Sequence, residues 1–504
     1  MLRSLFRGLK QPPPAAASAV AGGASVAAQS LLTTEATAEL PPAAEAMAKP
    51  LPAAAAPARP NLPAPDAAAA FDPYQAAGAA EARGDLAGAE AILRTHCAAC
   101  PDDASAVALL GGLLYRCERL DEAASVMAEA LGRFPAAAPL LLNYGRVAQS
   151  QMRIATAISC YRRAPAVEPG LAMARYLLAL QLLLVGDYPE GFLLMRARNQ
   201  LGAPPPSDWP RNIPLWQGES LTGQRLLIWL DWGGLGDELQ FARYIELVRR
   251  RHGPAELVLG CSAANQRLLG LLPGVSLCTA GRADLDYQVP LFELPVLFGT
   301  TVDNVPLPEG YLKAAPADVR RWGERLAVLA PGPGLPGLRI GLCWSSGFWG
   351  GRAVDSGKAI PLTLLARLAD LPGARFISLQ KGEARAELPC PGLHILDFDA
   401  DLNDMADTAA LIENLDVVVS VDTAVAHLAG ALGKPVLMML KWESGLLWLL
   451  ERDTSPWYAS MRVIRQAARQ DWEGVARRVH ELLLAWPAQG PGRAAPGAAV
   501  LQQD

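Results

Sequence analysis

Four short segments carry the residue types that could do chemistry. The first is DWGGLGDELQF, where Gly233, Gly234 and Gly236 precede Asp237 between an apolar strand and a helical pattern. Glycines there permit positive φ and close backbone approach. The turn lacks the spacing of a dinucleotide fingerprint or a P-loop. Spacing alone favours Asp237 as a helix cap, its carboxylate accepting backbone N–H bonds at the positive end of the helix dipole. The second is SVDTAVAHLAGALGKP, in which a strand ends at Asp422 and a helix follows. Thr423 and His427 lie four apart on one helical face. With Ala424 they sit at a helix start, whose free N–H groups suit a diphosphate. A capping aspartate and a packed histidine explain the same residues equally well. If it faces a ligand, His427 is a hydrogen-bond donor or a cation.

The third segment joins WSSG, with Ser345 and Ser346, to GKAIP, with Lys358. Small hydroxyls after a strand can reach phosphate oxygens, and a lysine can neutralise charge developing on a leaving diphosphate. A solvent-exposed loop is the plainer reading of these residues taken alone. The fourth is SLQKG, which puts Gln380 and Lys381 at a strand's carboxyl end, within reach of a nucleotide's base or ribose. The aromatic residues Trp442, Trp448, Trp457 and Tyr458 read as core or cleft wall.

These segments must be held by alternating strands and helices. RLLIWL (225–230), ELVLGC (256–261), LRIGLCW (338–344), RFISLQ (375–380), HILDF (394–398), VVVSVD (417–422) and PVLMML (435–440) are apolar, strand-like runs. Helical patterns separate them at 238–251, 265–272, 362–371, 423–433 and 472–486. Such alternation predicts parallel sheets covered on both faces. The Pro/Gly run APGPGLPG divides it into units at 210–330 and 338–486. Ligands of such sheets bind beyond the carboxyl ends of the strands.

Ahead of them the chain repeats itself. Pro101, Pro135 and Pro169 are 34 apart, and Leu86, Leu120, Ile154 and Tyr188 keep the same step. So do Ala89, Ala123, Ala157 and Gly191, and Gly111 and Gly145. A 34-residue period with small residues and a closing proline is the tetratricopeptide-repeat (TPR) pattern, two helices per repeat. It predicts about three repeats and a capping helix over 71–200. Residues 1–70 are Ala/Pro-rich and read as a disordered tail, and 487–504 as a loose one. The basic start MLRSLFRGLK fits a disordered beginning better than a membrane-surface anchor.

Composition narrows the rest. Hydrophobic residues make up 51% and charged residues 19%, a globular balance, and a formal net charge of −5 gives no reason to expect nucleic-acid binding. Eight scattered cysteines fit thiols in a reducing compartment better than a disulfide framework. The one CxxC, Cys97 and Cys100 beside His96, lacks the further ligands of a zinc site. No metal or cofactor is expected. Val417–Leu440 is apolar but holds Asp422, His427 and Lys434, which argues against a membrane span. The expected location is the cytoplasm, with the inner membrane surface as a place of contact.

Taken together, GGLGDELQFARY, SLQKG, ADTAALIENLDVVVSVDTAVAHLAGALGKP and DTSPWY resemble the family 9, heptosyltransferase-like glycosyltransferases, from about Pro210 to Trp486. They look like the branch in which TPRs precede the transferase. The resemblance implies an α-solenoid followed by a GT-B pair of Rossmann-like domains, acceptor side first and donor side second. It implies a nucleotide-diphosphate sugar as co-substrate and no required metal. By the same resemblance Asp237 is the general base, and Asp422, Thr423 and His427 meet the donor. Lys358 takes the place of a basic residue for leaving-group charge. That position is often Arg in the TPR branch, so here the charge survives without a bidentate grip.

Three functions follow as alternatives. One is sugar transfer to a glycan, lipid-linked or protein acceptor. A second is a TPR scaffold whose transferase-like domain no longer reacts. The third is a TPR-linked protein O-glycosyltransferase, whose domain order matches but whose motif does not. A protein partner in the TPR groove is compatible with all three.

Overall fold

The structure is a computed structural model that describes residues 72–201, 212–230, 233–278, 282, 284–329, 337–346, 348–349, 352–353, 357–443 and 446–486. The Ala/Pro-rich stretch 1–70, the tail 487–504 and the Pro/Gly run at 330–336 lie outside them.

Aspartates set several helix starts in the first part of the chain. Asp72 accepts from Tyr74 and Gln75 N–H to open α1 (Pro73–Ala82), Asp85 from Gly88 N–H to open α2 (Leu86–Ala99), and Asp103 from Ser105 and Ala106 N–H to open α3 (Ala104–Arg116). The pattern continues through α4 (Leu120–Arg133), α5 (Ala138–Ser150), α6 (Ile154–Val167), α7 (Ala172–Val185) and α8 (Tyr188–Leu194). The 34-residue columns are packing requirements. Ala89, Ala123 and Ala157 are fully buried. A Cβ added at Gly111 would stand 2.1 Å from Met127 Cε, and one at Gly145 2.5 Å from Tyr161 Cε1, so each hairpin closes only over glycine.

The helix expected as a cap is a seam instead. Twelve of the fourteen residues of α7 are buried, and a helix apolar all round has neighbours all round. On one side stand α6 and α8. On the other, Tyr188 and Phe192 of α8 enter the α/β region. Trp457 Nε1 donates to Tyr188 Oη at 2.9 Å, and Phe192 packs edge-on against Phe241 at 6.1 Å. One hydrophobic core therefore runs from α5 through both α/β units.

The α/β region holds two parallel sheets and a two-stranded antiparallel ribbon, Phe348–Trp349 with Arg352–Ala353. β1 (Arg225–Trp229), β2 (Glu256–Gly260), β3 (Val275–Cys278) and β4 (Tyr287–Pro290) lie in the order β3-β2-β1-β4, all parallel. Two short helices, α9 (Leu235–Phe241) and α10 (Arg243–His252), follow β1, and α11 (Ala263–Leu269) follows β2. A connecting helix, α12 (Pro316–Leu329), leads towards the second unit.

That unit contains β5 (Arg339–Cys343), β6 (Arg375–Ser378), β7 (Ile395–Asp397), α13 (Met405–Ile412), β8 (Val417–Val421), α14 (Ala424–Ala431), β9 (Val436–Leu440), β10 (Met461–Arg465) and α15 (Trp472–Leu484). Its strands run β10-β9-β8-β5-β6-β7, again all parallel. Chain order therefore reverses between β5 and β8, the switch point where doubly wound sheets open a crevice.

The single helix expected over 238–251 is two. It begins earlier, at Leu235, and breaks at Ala242. Carbonyls that would continue the ladder are taken elsewhere. Arg243 Nε donates to Gln240 O at 2.8 Å, and Tyr311 Oη donates to Leu239 O and Gln240 O. The break turns Arg243 into the seam between the units. Its guanidinium is fully buried, donates to Trp457 O at 2.6 Å and Pro306 O at 3.1 Å, and stacks on Tyr311 and Tyr458 at 4.7 and 4.8 Å.

Candidate functional site

The switch point of the second sheet gathers the sequence motifs. Cys343 ends β5, Asp422 follows β8, and Cys343 Sγ lies 3.7 Å from Thr423 Oγ1. Thr423 Oγ1 also shares a hydrogen bond with Ser420 Oγ at 2.9 Å. It is the N-cap of α14 but makes no side-chain cap bond, so the first N–H groups of that helix depend on another acceptor.

The loop bearing Lys358 is tied to the same strand end. Ile360 N–H donates to Trp344 O at 2.9 Å, and Glu387 holds both Trp344 Nε1 and Leu362 N–H. Lys358 Nζ then reaches Asp422, 2.6 Å from Oδ2 and 3.4 Å from its carbonyl oxygen.

The other unit contributes Asp237. It is not the helix cap that spacing suggests: Gly234 is the N-cap, and Asp237 stands three residues on. Its carboxylate reaches back to accept from Gly234 N–H at 2.8 Å, one arm of a capping box. Gly233 turns the chain there with a φ of +104°. Helix α9 rests directly on α14, and the contact needs Gly236. A Cβ there would stand 2.8 Å from His427 Cδ2 and 3.4 Å from the Cα of Ala424. Next to Asp237, the buried Glu238 accepts from Ser262 N–H at 2.9 Å and Ser262 Oγ at 2.6 Å, which fixes the loop after β2.

Packing α9 on α14 brings carboxylates of both units into one electrostatic neighbourhood. Burial pushes the Asp237 carboxyl up to about 6; the Gly234 hydrogen bond opposes this and the Asp422 charge adds to it. Asp422 is half-buried and desolvation raises it too, yet the Lys358 ammonium beside it, helped by His427, holds its carboxyl down to about 2. Burial keeps His427 neutral, lowering it to about 4 against the pull of Asp422. Of its two possible roles, burial favours the hydrogen-bonding one over the cation. Its Nδ1 pairs with Tyr458 Oη at 3.0 Å, and its Nε2 lies 3.8 Å from Asp422 Oδ1.

Other expected residues take supporting positions. Gln380 is buried, and its amide is spent on the turn after β5. Oε1 accepts from Trp344 and Ser345 N–H at 3.0 and 2.9 Å, while Nε2 donates to Ser345 O and Lys381 O. Lys381 Nζ is held by Asp399 O and Leu402 O, both at 2.9 Å, beside β7. These bonds tie both side chains to the turns around the site. Ser345 and Ser346 are half-buried at its edge. Trp448, Trp457 and Tyr458 are buried walls, and Trp442 is half-buried.

The site also contains two cations that the sequence reading passed over. Lys441 directly follows β9 and is 8% exposed; Arg465 ends β10. Both follow apolar strand residues, MML and VI, at carboxyl ends facing the crevice. That placement was the available signal.

Among the described residues no group of three or more His, Cys, Asp or Glu side chains is placed to hold a metal ion, and no helix is long and apolar enough to cross a membrane. All eight cysteines are free thiols.

Comparisons with known proteins agree with the motifs. Residues 380–444 match the pattern of Glycosyltransferase family 9 (heptosyltransferase). The chain is 28% identical over 450 residues to Protein FlbA of Caulobacter vibrioides, covering 75% of this chain and 72% of FlbA. A solved glycosyl transferase family 9 structure from Veillonella parvula aligns with 54% of this chain and 99% of its own, at 11% identity and a TM-score of 0.41. A tetratricopeptide repeat protein from Parabacteroides merdae aligns with 26% of this chain and 52% of its own, at 18% identity and a TM-score of 0.23. Residues 380–444 thus form a family 9 glycosyltransferase segment, which indicates glycosyl transfer.

Proposed function

We propose that this chain is a GT-B glycosyltransferase that moves a sugar from a nucleotide-diphosphate donor to an acceptor hydroxyl. One arrangement carries the reading: where α9 rests on α14, a carboxylate from each unit is held in a different way, Asp237 by the Gly234 N–H and Asp422 by the Lys358 ammonium at 2.6 Å. A pair separated in this way divides acid–base work from charge work. Asp237, near 6, is ionised at neutral pH and still basic enough to take a proton. Asp422, near 2, stays ionised and holds Lys358 in place.

In the reaction, Asp237 takes the proton of the acceptor hydroxyl as its oxygen bonds to the sugar's anomeric carbon. The bond from that carbon to the diphosphate oxygen breaks, and the electron pair leaves with the diphosphate. Lys358 meets the charge that develops there. The open N–H groups of α14, behind Thr423 and Ala424, and the hydroxyls of Ser345 and Ser346 supply further donors to phosphate. Neutral His427 donates to or accepts from the donor without adding charge.

A polypeptide is one acceptor this reading accommodates, and a groove on the surface supports it. A groove of about 840 Å³ runs between the repeats and the transferase, lined by Asp121, Ala124 and Tyr144 on one side and Trp442 and Arg469 on the other. It opens beside the strand end that carries Lys441.

Calorimetric titration of the full chain with nucleotide sugars tests the donor site. Binding is expected in the wild type, and the paired variant Thr423→Ala/His427→Ala should weaken it by about tenfold or more. Silence across adenosine, guanosine, uridine and cytidine donors would favour a scaffold that no longer reacts.

A further inference from the structure

The ring of Tyr458 lies on α14 beside His427. Gly430 makes room for it: a Cβ there would stand 2.6 Å from Tyr458 Cγ and Cδ1, so the ring settles on the helix only over glycine. Gly430 and His427 are three residues apart, on one face of α14. The phenol oxygen reaches His427 Nδ1 at 3.0 Å, and the two rings meet edge to face at 5.9 Å. Tyr458 is fully buried, so bulk water does not compete for the bond.

Two other parts of the chain fix the segment that carries Tyr458. Trp457 Nε1 donates to Tyr188 Oη of α8 at 2.9 Å, and Arg243 of α10 donates to Trp457 O at 2.6 Å. The Arg243 guanidinium also stacks on the Tyr458 ring. The repeats and the first unit together therefore set the position of a phenol in the second.

The proton positions follow from what surrounds each atom. A neutral imidazole carries one N–H, and the hydrogen bond at one nitrogen sets which nitrogen has it. Nε2 lies 3.8 Å from Asp422 Oδ1. With the proton on Nδ1, the Nε2 lone pair would face that carboxylate and be repelled by it. The proton therefore sits on Nε2, and Nδ1 is an acceptor. Tyr458 supplies the matching donor. Arg243 and Tyr311 also stand at its oxygen, yet neither claims its proton. A guanidinium only donates. Tyr311 has given its own proton to Leu239 O and Gln240 O, and its phenol oxygen is a weaker base than an imidazole nitrogen.

We propose that Tyr458 is a positioning residue of the donor site, locking His427 in the tautomer with its proton on Nε2, so that this edge of the ring donates to a diphosphate oxygen of the nucleotide sugar. The inference rests on the donor reading above and narrows the part His427 plays there to that of a donor. It also gives the repeats a task in the site, since Tyr188 anchors the segment on which Tyr458 sits.

The test has two readouts on the full chain. Nitrogen-15 NMR of the histidine rings, with His427 assigned by its absence in His427→Ala, reads the tautomer directly. Wild type should show the Nε2–H form, and Tyr458→Phe, which keeps the ring over Gly430, a mixture of both forms. Calorimetry with UDP, GDP, ADP and CDP then compares wild type, Tyr458→Phe, His427→Ala and the double variant. Tyr458→Phe should lose about fivefold in affinity for the preferred diphosphate. It should lose nothing further once His427 is alanine, because the phenol acts through the imidazole. An Nδ1–H tautomer in wild type, unchanged affinity in Tyr458→Phe, or losses that add in the double variant overturn the proposal and leave the donor reading standing. Wild type that binds none of these diphosphates overturns the donor reading itself and this inference with it.

Discussion

Asp237 stands in the first turn of α9 in one unit and Asp422 follows β8 in the other, close enough for the charge of Asp422 to act on Asp237. Their acidities are nonetheless driven apart, Asp237 upward and Asp422 downward. Burial raises both. What separates them is the partner: a single backbone N–H for Asp237, an ammonium at 2.6 Å for Asp422. Burial alone therefore does not assign a role to a carboxylate. The proposed base thus has only a backbone N–H for a close partner, and the proposed anion site has an ammonium.

The strongest way to break this contrast is to remove the base while keeping its shape. Asp237→Asn should retain donor affinity in calorimetry and lose about 10³-fold in kcat for sugar transfer. Full activity would take Asp237 out of the mechanism.

Next in size is Lys358→Met, which should lower kcat by about 10²-fold. It should also free Asp422 to bind a proton at higher pH, so the contrast itself should shrink. Retained kcat would show that the lysine only fastens the loop.

A smaller effect sharpens the comparison in the folded state alone. The Asp237 carboxyl binds its proton more tightly folded than unfolded, since about 6 lies above the ordinary 3.8. Its contribution to stability is therefore full below about pH 4 and lost as pH rises through about 6. Thermal melts of Asp237→Asn should lack that decline and should match or exceed wild type at pH 8. A variant less stable at pH 8 than the wild type would mean that the Gly234 hydrogen bond outweighs the buried charge.

Much of the architecture was legible because it obeys local rules. Ala123 and Gly145 recur at 34 residues because a bulkier side chain would strike the facing helix, a constraint each repeat must meet alone. VVVSV and VLMML are apolar throughout because parallel strands are covered on both faces. β3, β4 and β10 escaped notice: VSLC, YQVP and MRVIR are short or carry polar residues at sheet edges, where the two-sided pattern fades. α7 read as a cap because a sequence shows that a helix is apolar all round but not what lies against it.

The site was legible in part for the same reason. Asp422, Thr423 and His427 are neighbours in sequence, so their cluster survives any arrangement of strands. Lys441 and Arg465 join them only because β8, β9 and β10 lie side by side, and that order is a fact of topology. Gln380 and Lys381 show contacts that the sequence does not announce. Their place at a strand's carboxyl end suited a ligand, but Trp344, Ser345, Asp399 and Leu402 take up their hydrogen bonds.

The pH dependence of kcat/KM for nucleotide-sugar turnover, measured in wild type between pH 4.5 and 8.5, tests the central claim most directly. A base held near 6 by burial predicts a rise with unit slope that levels off above about pH 6. A profile flat from pH 4.5 upwards, or one that breaks near an ordinary carboxyl value, would contradict it.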